Sequence, residues 1–147
     1  MYLLFSDERA QDGDPTAVPG AGDGQLYVGL ATDTVTVGLR IYGDRKSWLG
    51  RVAAPRAVEQ VRWLARQARR LRRKYESYWY SMEKGEWKQS RGWPAQPEEW
   101  KRIRGWIVRR KMKPAAATRA DFPGEVARIF RELLPLYRLI SSAEWKP

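Results

Sequence analysis

The chain has neither cysteine nor histidine among its 147 residues. Without cysteine there is no disulfide framework, zinc knuckle, iron–sulfur site or thiol nucleophile, and without histidine the commonest general base and metal ligand is missing as well. Any catalysis must use carboxylates, Lys, Arg, Tyr, Ser or Thr. Long apolar runs are also missing, since nothing approaches the roughly 18 consecutive apolar residues of a membrane span. The opening MYLLFSDERAQ shows no basic leader and no cleavage-site pattern. The expectation is a soluble, cytoplasmic protein with no membrane partner, and the lack of cysteine agrees with a reducing compartment.

Acid is scarce: 17 Asp and Glu stand against 28 Lys and Arg, leaving a net charge of +11. The excess is confined to one stretch. Residues 1–50 carry a net −3, residues 51–113 a net +13 and residues 114–147 a net +1. The same middle stretch holds six of the eight tryptophans, namely Trp63, Trp79, Trp87, Trp93, Trp100 and Trp106. A basic, aromatic-laden segment between near-neutral ones is the most informative feature of the chain.

The length and a hydrophobic share of 43% suit one domain spanning residues 1–147. Met1 to Phe5 reads as an edge strand, and the Gly, Pro and Asp content of 6–24 marks a loop. Leu26, Val28 and Leu30 alternate with Tyr27 and Gly29, and Val35, Val37, Leu39 and Ile41 repeat the pattern after a break at Thr32-Asp33. That alternation predicts a hairpin with one buried face. From about Ala54 to Tyr75 the residues Val58, Val61, Leu64, Ala65, Ala68, Leu71 and Tyr75 recur at helical spacing, with Pro55 tolerated in the first turn.

The polar face of this helix carries Arg62, Arg66, Arg69, Arg70, Arg72, Arg73 and Lys74. Complementing the helix dipole accounts for two or three cations near the C-terminus, not for seven. Like charges so dense repel one another, so the surplus suggests a site for an anionic partner.

Further along, Ser77–Met82 and Glu86–Gln89 flank Glu83-Lys84-Gly85 as a second hairpin. Pro97 opens a short helix with Trp100, Ile103 and Ile107 at helical spacing, followed by a strand over Trp106–Met112. Glu86–Trp93 (EWKQSRGW) and Glu99–Trp106 (EWKRIRGW) share six of eight residues, and a third EWK stands at Glu144–Lys146. The shared letters suggest a local duplication. After Asp121 as N-cap, the residues Phe122, Val126, Ile129, Phe130, Leu133, Leu136, Tyr137 and Ile140 form a core stripe, with a kink or an end expected near Leu134 because of Pro135. Together these elements predict an α+β fold: a small, mostly antiparallel sheet packed against one long basic amphipathic helix (54–75) and a C-terminal helix (122–140).

Nucleic-acid binding requires cations for phosphates and flat side chains for unpaired bases. The expected phosphate contacts are Arg66, Arg69, Arg70, Arg72, Arg73 and Lys74, extended by Arg109, Arg110 and Lys111 if the fold sets that strand beside the helix. Trp63 and Trp79 suit the core, whereas Trp87 and Trp93 lie in a polar stretch and are the stacking candidates. Arg91 belongs to the same expected surface, although Arg91 or Lys88 can equally cover those rings. One alternative is a subunit that docks this basic face on an acidic protein. Another is a carboxylate-dependent metal nuclease, for which Glu86-Trp87-Lys88 supplies an E-x-K element with no Pro-Asp before it.

The acidic residues Asp7, Glu8, Asp12 and Asp14 lack the glycine and closing glutamate of a calcium loop. Gly20, Gly22 and Gly24 precede no phosphate-loop residues. The sequence therefore points to a non-enzymatic binding domain with no catalytic set, no metal site and no cofactor.

From Gln25 onward, the hairpin, the helix, the Trp/Arg segment and the closing DFPGEVARIFRELLPLYRLI resemble the C-terminal part of the bacterial conserved hypothetical proteins of domain-of-unknown-function family 2461. The nearest likeness is that ending, an apolar helix leading into Leu134-Pro135-Leu136. The resemblance implies no activity and no site residues.

Overall fold

The alternating segments become strands and the segments of 3.6-residue period become helices. The computed structural model describes residues 2–5, 24–42 and 57–141. In chain order these form β1 (Tyr2–Phe5), β2 (Gly24–Leu30), β3 (Val35–Tyr42), α1 (Ala57–Leu71), β4 (Glu76–Glu83), β5 (Glu86–Arg91), α2 (Pro97–Arg102), β6 (Ile103–Met112), a 3-10 turn (Pro114–Thr118) and α3 (Phe122–Ser141). The bulk of the 6–24 loop, the first residues of the expected 54–75 helix and the third EWK lie outside the described residues.

The six strands form one sheet in the order β1-β2-β3-β6-β4-β5, and every neighbouring pair is antiparallel. Register assigns the two faces. Leu26 lies opposite Leu39, Leu39 opposite Val108, and Ile41 opposite Trp106. These residues share one core cluster with Val61, Leu64 and Leu71 of α1, Trp100 of α2, and Ile129, Leu133, Leu136 and Leu139 of α3. The other face presents Tyr27, Gly38, Arg40, Ile107, Tyr78 and Arg109, none of which belongs to that cluster. The fold is α+β, with the helices segregated to one side of an antiparallel sheet. No helix among the described residues is long and apolar enough to cross a membrane.

Four local expectations need correction. First, α1 ends at Leu71, not at Tyr75. The amides of Lys74 and Tyr75 both bond the Leu71 carbonyl, so Arg72–Lys74 form a turn. Crowded like charge weakens the last helical turn, and the exit places the buried Tyr75 hydroxyl 2.7 Å from a Glu132 carboxylate oxygen. Second, α2 closes at Arg102 and Ile103 already begins β6. Ile107 consequently points to the sheet face away from the helices.

Third, of the kink or end expected near Leu134 the end is overturned, since α3 runs through Pro135 to Ser141. Proline deletes one intrahelical bond, but the buried Leu133, Leu136 and Leu139 hold both sides of it against the sheet. Fourth, the two EWK copies fold differently: the first supplies β5, whereas the second spans the end of α2 and the start of β6. Trp87 is 64% exposed, but its counterpart Trp100 is 1% exposed. The shared letters do not mark a repeated structural unit.

Candidate nucleic-acid interface

Helix α1 buries Val61, Leu64 and Leu71 and turns Arg62, Arg66, Arg69 and Arg70 outward. Steps of three and four residues keep these arginines on one stripe, about 4.5–6 Å apart along the axis. Arg72 and Arg73 continue outward in the turn. Among the described residues, none of these six arginines makes a side-chain hydrogen bond or ion pair. Lys74, by contrast, is bound to Glu132 at 3.2 Å.

Beside the end of α1 an open groove of about 640 Å³ is lined by Arg70, Leu71, Lys74, Arg128, Arg131 and Glu132. Arg128 and Arg131 come from α3, so the fold sets a second pair of cations across from the first. The sequence reading passed over them because residues 114–147 sum to almost no charge. The signal was nevertheless present: Arg128 and Arg131 are one turn apart, off the stripe of Ile129, Leu133 and Leu136.

The expected extension through Arg109–Lys111 does not form. Adjacent strand residues point to opposite faces. Arg109 and Lys111 lie on the face away from the helices, where both reach Glu76, at 3.6 and 3.4 Å. Arg110 turns into the helical layer and pairs with Glu125 of α3 at 3.5 Å. The central strand thus divides its cations between two surfaces instead of prolonging the α1 stripe.

Trp93 is not an exposed ring either. It packs on the core and meets Trp106 edge-on at 5.7 Å, while Trp100 meets Trp106 in the same way at 5.2 Å. The Trp106 indole N–H donates to Ser77 Oγ at 2.9 Å, which satisfies its one polar atom. Trp87 and Arg91 are exposed on β5, on the sheet face opposite the helices. The structure therefore brings together Arg66, Arg69, Arg70, Arg72, Arg73 and Lys74, adds Arg128 and Arg131, and places Trp87, Arg91, Arg109 and Lys111 elsewhere.

No family model, curated protein or solved structure matches this chain. Among the described residues no group of three or more acidic side chains is placed to hold a metal ion. Of the E-x-K element, Lys88 is taken by Glu83 at 3.2 Å, and Glu86 sits across from the same Glu83.

Glu132 ties the groove to the core. The Tyr75 hydroxyl bond holds its carboxyl below the usual carboxylate range; burial opposes this, and Lys74 reinforces it. Tyr75 in turn is pushed well above the ordinary phenol range by its burial and by the carboxylate. A carboxyl whose folded pKa is depressed stabilises the fold above its unfolded pKa, about 4.3 for Glu, and that contribution is lost as pH falls through the folded value. We expect Glu132→Gln to cost about 1–2 kcal/mol at neutral pH and to flatten the acid limb of the stability profile. Urea unfolding at neutral pH and at about pH 3.5 checks both. An unchanged acid limb would remove Glu132 from this role.

Proposed function

We propose that the chain is a non-enzymatic basic module that binds the phosphate backbone of nucleic acid across the α1–α3 surface. One observation carries the reading: six arginines stand outward on α1 and its exit turn with no acid partner among the described residues. Several cations elsewhere are paired with acids, among them Lys88, Lys101, Arg109, Arg110, Lys111 and Arg119, and within the groove Lys74 is held by Glu132 and Arg128 by Glu125. Arranging repelling charges on one stripe is unfavourable in the free protein, and a polyanion relieves that repulsion while releasing its own counterions. Guanidinium groups match phosphate oxygens in geometry as well as in charge. Contacts of this type carry no sequence readout.

A cytoplasmic setting goes with this reading, and kinship of residues 25–147 with domain-of-unknown-function family 2461 is compatible with it. The test is a fluorescence-polarisation titration of single-stranded RNA, single-stranded DNA and duplex DNA at several salt concentrations, with heparin as the polyanion control. The expected result is a log-linear loss of affinity with salt, with a slope of about −0.7 to −0.9 per phosphate neutralised, and binding tighter than that of heparin. Binding to nucleic acid no tighter than to heparin overturns the reading and leaves an acidic protein as the partner of this face.

A further inference from the structure

The sheet face turned away from the helices differs in chemistry from the α1 stripe. On its β4–β5 half, register sets Met82 opposite Trp87, Tyr80 opposite Gln89, and Tyr78 opposite Arg91. The next strand adds Arg109 and Lys111 to the same face. Trp87 is 64% exposed and Met82 44% exposed, a large apolar pair at the end of an edge hairpin. The acids of the hairpin tip, Glu83 and Glu86, alternate onto the other face with Lys88, which Glu83 binds. On this half Arg91 has no acid partner among the described residues, Arg109 and Lys111 share Glu76 at the other end of β4, and at the tip Glu83, Lys84, Glu86 and Lys88 line a recess with Trp87.

Arginine already covers rings on this face: Arg109 lies over Tyr78 at 5.2 Å and Arg40 over Tyr27 at 5.4 Å. Among the described residues, Trp87 carries no guanidinium and has its ring toward solvent.

We propose that this half-face is a second contact surface that takes unpaired nucleotides, with Trp87 stacking on a base and Arg91 meeting a phosphate further along the same strand. Trp87 and Arg91 lie on one face of β5 about 13 Å apart along the strand, so the ring fits an unstacked base and the guanidinium a phosphate further along the same nucleic-acid strand. A duplex, whose bases are stacked on one another, offers the ring nothing. An acidic peptide would satisfy the cations but not the ring. The proposal rests on reading the chain as a nucleic-acid binder, but it lies on the opposite side of the sheet from the α1–α3 groove, so the two surfaces separate experimentally.

The test compares the full chain with Trp87→Ala, Trp87→Phe and Arg91→Gln, using a uridine-rich RNA strand and a DNA duplex of equal length. Both altered side chains are exposed, so thermal unfolding should be unchanged. Trp87→Ala is expected to weaken single-strand binding roughly tenfold, since stacking on one base is worth about 1–3 kcal/mol, and to leave duplex binding unchanged. Trp87→Phe should restore most of the loss. Arg91→Gln should weaken single-strand binding and reduce its salt slope by about one. Equal losses on strand and duplex, or no loss on the strand, overturn the proposal while leaving the α1–α3 reading intact. Strand binding that survives loss of the α1 charges but disappears in Trp87→Ala overturns the α1–α3 reading and leaves this one standing. A concentration-dependent increase in mass that Trp87→Ala abolishes, with strand affinity unchanged, assigns the face to a second copy of the chain and also overturns it.

Discussion

Reversing Arg69, Arg70, Arg72 and Arg73 to glutamate lowers affinity for duplex DNA by at least about a hundredfold at moderate salt and flattens the salt dependence by about three to four units of slope. Each of these side chains stands outward with no hydrogen-bond or ion-pair partner among the described residues, so no native polar contact is lost with it. The cost to the fold is limited. Glutamate in the last turn opposes the helix dipole by about 0.3–1 kcal/mol per site, and this applies to Arg69 and Arg70, since Arg72 and Arg73 lie beyond the helix end. Far-UV circular dichroism should match the parent. The corresponding glutamine variant removes the charge without the dipole penalty and should show most of the same loss. Affinity within threefold of the parent in both variants would mean that phosphate does not bind this stripe.

Elements whose period is short and whose break is sharp were legible in the sequence. Alternation over Gln25–Leu30 and Val35–Ile41 yielded β2 and β3, and the glycine at the second hairpin yielded β4 and β5, where Lys84 and Gly85 both take positive φ as a tight two-residue turn requires. The misreadings share a cause: a local rule met a tertiary constraint. Pro135 kinks or ends a helix by local rule, but three buried leucines carry α3 across it. EWKRIRGW and EWKQSRGW nearly coincide in letters, yet Pro97 before one and a turn glycine before the other select a helix in one case and a strand in the other. The division of Arg109, Arg110 and Lys111 follows from period-2 geometry once the segment is a strand. Treating them as one basic run overlooked that. The helical period marks Arg128 and Arg131 as outward cations of α3, but that they face the end of α1 follows only from the packing of the two helices.

Gly38 is where a single methyl group should do the most damage. It lies in the middle of β3 between β2 and β6, opposite Tyr27 on one side and Arg109 on the other. Glycine inside a strand weakens it and often marks a close backbone approach. A Cβ built at Gly38 would overlap the Val108 carbonyl oxygen and stand 2.8 Å from the Arg109 Cα. Both obstacles are main-chain atoms of the central strand, so relief requires β3 and β6 to separate, not merely a rotamer change. Gly38→Ala is expected to cost about 3 kcal/mol or more, a large share of the roughly 5–15 kcal/mol by which such domains are stable. The control is Gly124→Ala in the first turn of α3, where an added Cβ meets nothing within 4 Å. Trading glycine for alanine in a helix should there stabilise by about 0.5–1 kcal/mol. Urea midpoints moving in opposite directions for the two variants would trace the difference to the β3–β6 approach. A Gly38→Ala midpoint equal to the parent's would show that these strands can part at no cost, and the register that divides Arg109 from Arg110 would lose its support.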